Sequence, residues 1–85
     1  MSYHQNKQEA FQHASNKVHE AERTADDVLM SIHEADYGTE LAHLKEEVNQ
    51  AYQQVEKALT VASEHQEEQL QSYKQQLDKI RNQLL

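Results

Sequence analysis

Six histidines in 85 residues are the side chains of this sequence best suited to chemistry, as metal ligands or proton carriers. Glu40-Leu-Ala-His43 has the Glu-x-x-His spacing that places a carboxylate and an imidazole on one helix face in carboxylate-bridged di-iron bundles. Such a centre needs two of these motifs and two further inward glutamates, and the sequence offers a single motif at a helix start. A di-iron centre is therefore excluded. His13, His19, His33 and His43 fall at b or c positions when the apolar residues are labelled a and d, so they point away from the core and read as solvated surface. A metal or small-ligand carrier working through these histidines stands as an alternative.

Other residue types give no coherent site. Asp26 and Asp27 are adjacent, so on a helix they diverge by about 100° and cannot work as a paired carboxylate. There is no glycine-rich phosphate loop, no glycine-flanked serine elbow and no His-Glu-x-x-His. Cysteine is absent, which removes disulfides, a thiolate nucleophile and sulfur-ligated metal. The expectation is a non-enzymatic protein without a cofactor. The tyrosines suggest recognition instead. Tyr37 is expected at a chain corner, exposed or folded over the helix ends, while Tyr52 and Tyr73 read as core or core edge with the hydroxyl reaching solvent.

The elements that must carry these residues are helices. Phe11, Ala14, Val18, Ala21, Ala25, Val28, Ile32 and Ala35 alternate at intervals of three and four and keep one helix face apolar. A second series runs Leu41, Leu44, Val48, Ala51, Val55, Ala58 with Leu59, then Ala62. A third resumes, slipped by about one residue, at Leu70, Tyr73, Leu77, Ile80 and Leu84. The sequence has one glycine, Gly38, and no proline. Ser2-x-x-Gln5 can cap the first helix, and Gly38, in a left-handed conformation, with Thr39 as the next cap, marks a corner at Asp36-Tyr37-Gly38-Thr39.

The slip near Ser63 has two explanations. One straight helix of period 3.6 carries the stripe from Leu41 to Leu84 unbroken. Alternatively the helix breaks, because Thr60, Val61, Ser63 and His65 are mediocre helix formers and Ser63-x-x-Gln66 repeats the capping-box pattern. The later charges are sorted to match a macrodipole, Glu64, Glu67 and Glu68 first, then Lys74, Lys79 and Arg81. The break is preferred. The expected fold is one all-α domain over residues 1–85, an antiparallel helical hairpin extended to a three-helix bundle, with helices at about 4–35, 40–61 and 64–84. The alternative is a two-helix hairpin whose long second helix overhangs and dimerises.

Charge and size narrow the partners. Eight basic residues against fifteen acidic ones give a net charge of -7, the wrong sign for nucleic acid or an anionic membrane. No N-terminal apolar run resembles a signal peptide and nothing approaches the ~20 apolar residues of a membrane span, so the cytoplasm is the expected location. Only 36% of the residues are apolar, and nine of the apolar residues are alanine, so a domain this small gains from association. The expected partner is protein, either a second copy or another helical protein. Candidate contact residues are Phe11, Tyr37, Tyr73, Leu77, Ile80 and Leu84. Histidine as a residue type titrates between about pH 5 and 8, so mild acid should remove most of the negative charge. With an isoelectric point near 5.2, solubility is expected to fall between pH 7 and pH 5; light scattering that stays flat over that interval would contradict this.

Two resemblances follow from these residues. Tyr37-Gly38 stands where small secreted helical hairpins of the WXG type carry Trp-x-Gly, and Tyr52-Gln-Gln-Val-Glu56 has the Tyr-x-x-x-Glu spacing of their export signal, here mid-helix. That resemblance implies a secreted hairpin acting with a partner hairpin. Ala21-Glu-Arg-Thr-Ala25, Leu29-Met-Ser-Ile32, and Glu40-Leu-Ala-His43 running into Val48, Ala51, Val55 and Ala58 are similar to short uncharacterised helical proteins of Bacillus-type bacteria, a domain of unknown function. This second resemblance covers about half the chain and implies helices without a stated activity.

Overall fold

The stripes fold into three antiparallel helices in a computed structural model, which describes the backbone of residues 3–84 and the side chains of residues 7–83. Helix α1 spans Tyr3–Met30, α2 spans Tyr37–Leu59 and α3 spans Glu64–Leu84. All three pairs of helices pack against one another. The Ser2-x-x-Gln5 cap and the side chain of Leu84 lie outside the described residues. The bundle is a rod, 49 × 22 × 14 Å, whose long axis follows from the 28 residues of α1 rising about 1.5 Å each.

The core is divided unequally. Helix α1 contributes Ala14, Val18, Ala21, Ala25 and Val28, and α2 contributes Leu44, Val48, Ala51, Val55 and Ala58. Helix α3 contributes only larger residues, Leu70, Tyr73, Leu77 and Ile80. Alanines on α1 and α2 let those two backbones approach closely, and the bulky side chains of α3 then fill the groove between them. No polar or charged residue is buried among the described residues. Two contacts fix how α3 sits at its edges. Tyr73 and Ser15 share a hydrogen bond of 3.0 Å between their hydroxyl groups, and the Arg81 guanidinium lies 4.6 Å from the centre of the Tyr52 ring.

The joint near Ser63 is a break, which removes the single long helix from consideration. The Gln66 backbone N–H donates to Ser63 Oγ and the Ser63 backbone N–H donates to Gln66 Oε1, both at 3.3 Å. This reciprocal pair is the capping box that Ser63-x-x-Gln66 predicts, and Glu64 and Glu67 occupy the first turn of α3. Upstream, α2 closes without a glycine. Thr60 stays in the right-handed region, with its N–H and its Oγ1 both directed to the carbonyl of Lys57. Ser63→Ala is expected to cost about 0.5–1 kcal/mol, the usual range for an exposed N-cap. Because the hydroxyl alone is lost, a thermal melt unchanged by the substitution would show that the capping box contributes nothing.

The first corner departs from expectation. Helix α1 ends at Met30 instead of about residue 35, and α2 begins at Tyr37 instead of about residue 40 and ends at Leu59 instead of about residue 61. The reversal is formed by residues 31–36. Ser31 N–H is shared between the carbonyls of Asp27 and Val28, and Glu34 N–H donates to Ser31. Asp36, with no side-chain cap hydrogen bond, precedes α2 in place of Thr39. Gly38 lies inside the first turn of α2, and no described residue has a positive φ. Register explains the shift. His13 shares a groove with Gln54, and Asp27 shares one with Glu40, so antiparallel pairing converges on His33 and Glu34. Ile32 and Ala35 therefore lie in the reversal itself, before Tyr37, the first residue of α2, and both are exposed.

A helical glycine with free space around it is a stability defect. A Cβ built on Gly38 meets nothing within 4 Å. Gly38→Ala is accordingly expected to stabilise the protein by about 0.4–1 kcal/mol by restricting the unfolded chain. A melting temperature raised by a few degrees checks this. A drop would restore Gly38 as the corner residue.

Candidate functional site

The possible chemical sites disperse over the surface. His13, His19, His33, His43 and His65 are exposed, and among the described residues no group of three or more His, Cys, Asp or Glu could hold a metal ion. Their nearest approach to a site is at the paired grooves. Glu40 and His43 line one such groove with Thr24, Asp27 and Val28 between α1 and α2, open to solvent and without a second Glu-x-x-His opposite. An open concavity is lined by Glu64, Glu67, Glu68, Gln71, Ser72 and Gln75, all from one face of α3. A single helix face cannot enclose a ligand, so this is a surface and not a substrate pocket. His19 is exposed, yet its ring meets Tyr73 edge-on at 6.1 Å.

Most of the expected contact residues are consumed by the bundle itself. Leu77 is fully buried, Ile80 is buried, and Tyr73 is 7% exposed with its hydroxyl hydrogen-bonded to that of Ser15. Phe11 is half-buried, its ring centroid 6.2 Å from that of Tyr73. Tyr37, the first residue of α2, is half-buried and packs against the core. Neither the Phe11 to Val28 face nor the Leu70 to Ile80 face is therefore open for pairing between chains. Both are filled from within.

The apolar surface that remains is elsewhere. Met30 is 84% exposed, Ile32 48% and Leu29 47%, clustered where α1 gives way to the first corner. Sequence periodicity assigned Ile32 to the core and passed over Leu29 and Met30. A signal existed in the run Val28-Leu29-Met30-Ser31-Ile32, whose four large apolar residues cannot all share one helix face. Val28 takes the core and the others face outward.

This end of the rod extends past α3. Lys74 Nζ lies 2.7 Å from Glu56 Oε1 and Arg81 Nη2 3.4 Å from Asn49 Oδ1, so α3 runs level with α2 from Glu56 to about Glu46. The first turns of α2 and the last turn of α1 stand beyond it as a two-helix tip. Around the tip Asp26, Asp27, Glu34 and Asp36 are exposed and Glu40 is half-buried. No lysine or arginine occurs between Thr24 and Leu44. The tip thus combines exposed apolar side chains with charge of one sign.

No family model, no curated protein and no solved structure matches the chain. No described helix is long and apolar enough to cross a membrane.

Proposed function

We propose that the chain is a non-enzymatic, cytoplasmic helical protein-interaction module that binds through the tip of its α1–α2 hairpin. The observation that carries this reading is the placement of exposed Leu29, Met30 and Ile32 close together in the chain, at one end of a rod whose other large apolar side chains among the described residues, Val61 apart, are at least half covered. Dispersed histidines and open surface grooves favour binding over catalysis. The negative charge favours protein over nucleic acid or anionic lipid.

Selection of binders from a random peptide library displayed on phage tests the proposal. The expected result is enriched peptides that bind the native bundle and lose binding to the triple variant Leu29→Ser, Met30→Ser, Ile32→Ser. Because these side chains lie outside the core, the triple variant is expected to keep its helical circular dichroism. Enriched peptides indifferent to the triple variant, or no enrichment, would refute the reading.

A further inference from the structure

We infer that the hairpin tip receives a cationic amphipathic helix of another protein, with an apolar stripe flanked by lysine and arginine. This inference rests on the interaction-module reading and specifies its partner. Three features of the tip select that chemistry. The first is the apolar contact itself, with Met30 at its most exposed point; methionine is unbranched and polarisable, and adapts to the shape of an incoming side chain. Leu29 and Ile32 flank it within one helical turn's length, a footprint matched by two or three turns of an amphipathic helix.

The second feature is the rim. Exposed Asp26 and Asp27 stand about one helical turn before Leu29 and Met30, exposed Glu34 and Asp36 follow them in the corner, and the nearest basic residues in sequence are Arg23 and Lys45, outside the tip. Basic side chains bordering an apolar stripe complement this rim, accelerate encounter and fix orientation. A second copy of the chain would bring an identical rim against it, so like charges oppose self-association at this place. The partner is therefore a different protein.

The third feature concerns the backbone. The described chain is helical apart from two short joints, and it offers no strand edge on which an extended peptide could pair. A partner segment docking on side chains alone must satisfy its own backbone groups, and a helix does so internally.

The test is a titration of the isotope-labelled 85-residue chain, followed by amide chemical shifts, with three synthetic peptides. One has leucines on one helical face with lysine and arginine flanks; the second replaces those basic residues with glutamate; the third keeps the basic composition with leucines scattered round the helix. The expected result is saturable binding of the first peptide alone, with shifts confined to Asp26–Leu41 and affinity falling as salt rises. Met30→Glu, at an exposed position that leaves the fold intact, and the triple serine variant are each expected to weaken binding at least about tenfold.

Each contrary outcome has a distinct meaning. Equal binding of the glutamate-flanked peptide at the tip overturns the cationic partner and leaves the interaction module standing. So does concentration-dependent dimerisation that Met30→Glu abolishes, because the occupant is then a second copy. Equal binding of the scattered peptide, with shifts also at Glu64–Glu68, reduces the effect to general attraction by an acidic protein and overturns the inference. If no peptide binds at the tip and the library selection also fails, both readings fall.

Discussion

Leu77→Asp should leave a chain with little residual helix, monomeric and unfolded in far-ultraviolet circular dichroism. Leu77 is fully buried in the groove between α1 and α2, alongside Leu70, Tyr73 and Ile80. Truncating a buried leucine costs about 2–5 kcal/mol through lost transfer and a residual cavity. An unpaired carboxylate in the same place adds a desolvation penalty, since no basic side chain among the described residues is buried to receive it. Against this stands a total stability of only about 4–13 kcal/mol for a chain of this length. Two controls separate charge from position. Lys79→Asp, on the exposed side of the same helix, should change little, and Leu77→Met, nearly volume-conserving, should cost under about 1.5 kcal/mol. A folded monomer carrying Leu77→Asp would instead point to a hairpin whose third segment packs on another subunit.

The third helix was legible because its signals agreed. Periodicity slipped at Ser63, the Ser63 and Gln66 pair supplied a cap, and acidic residues gathered at the start of α3, so three independent local terms named one boundary. The first corner was misread because one local signal was weighed without its tertiary context. A lone glycine suggests a left-handed turn, yet where the chain reverses is set by which residues α1 and α2 can cover mutually. The helix bounds place the reversal between Met30 and Tyr37, before the glycine, and the grooves that His13 shares with Gln54 and Asp27 with Glu40 agree with that register. Nothing in spacing alone reports that register.

The exposed tip was hidden for a related reason. A three-four stripe identifies a face and cannot say where along its length the opposing helix stops. Ile32 and Ala35 continue the stripe of Val28 faultlessly, but the burial that gives a stripe meaning ends at Val28. Conversely, the candidate contact residues Tyr73, Leu77 and Ile80 on α3 were legible as apolar, but spacing alone does not say what covers them. Whether Tyr73, Leu77 and Ile80 face a partner or their own chain depends on the break at Ser63, which lets α3 turn back onto the hairpin. Once that joint exists, the same residues that would have demanded a second subunit complete the core.

The length of the effective stripe can be measured directly with one pair of substitutions. Ala21 and Ala35 stand on the same sequence stripe, but Ala21 is fully buried within α1 and Ala35 is exposed in the turn that follows it. Ala21 lies where small side chains let α1 and α2 approach. Adding three heavy atoms there must push the helices apart or force strained rotamers, so Ala21→Leu should destabilise by about 1–3 kcal/mol. For a domain of this size each kcal/mol moves the melting temperature by about 4–8 °C, so the expected loss is well outside experimental error. Ala35→Leu should stay within about 0.5 kcal/mol, because its side chain points into solvent from the turn. Equal destabilisation at both positions would mean that α1 continues through residue 35 as an unbroken packed helix, and the tip proposed as the binding surface would then be part of the core.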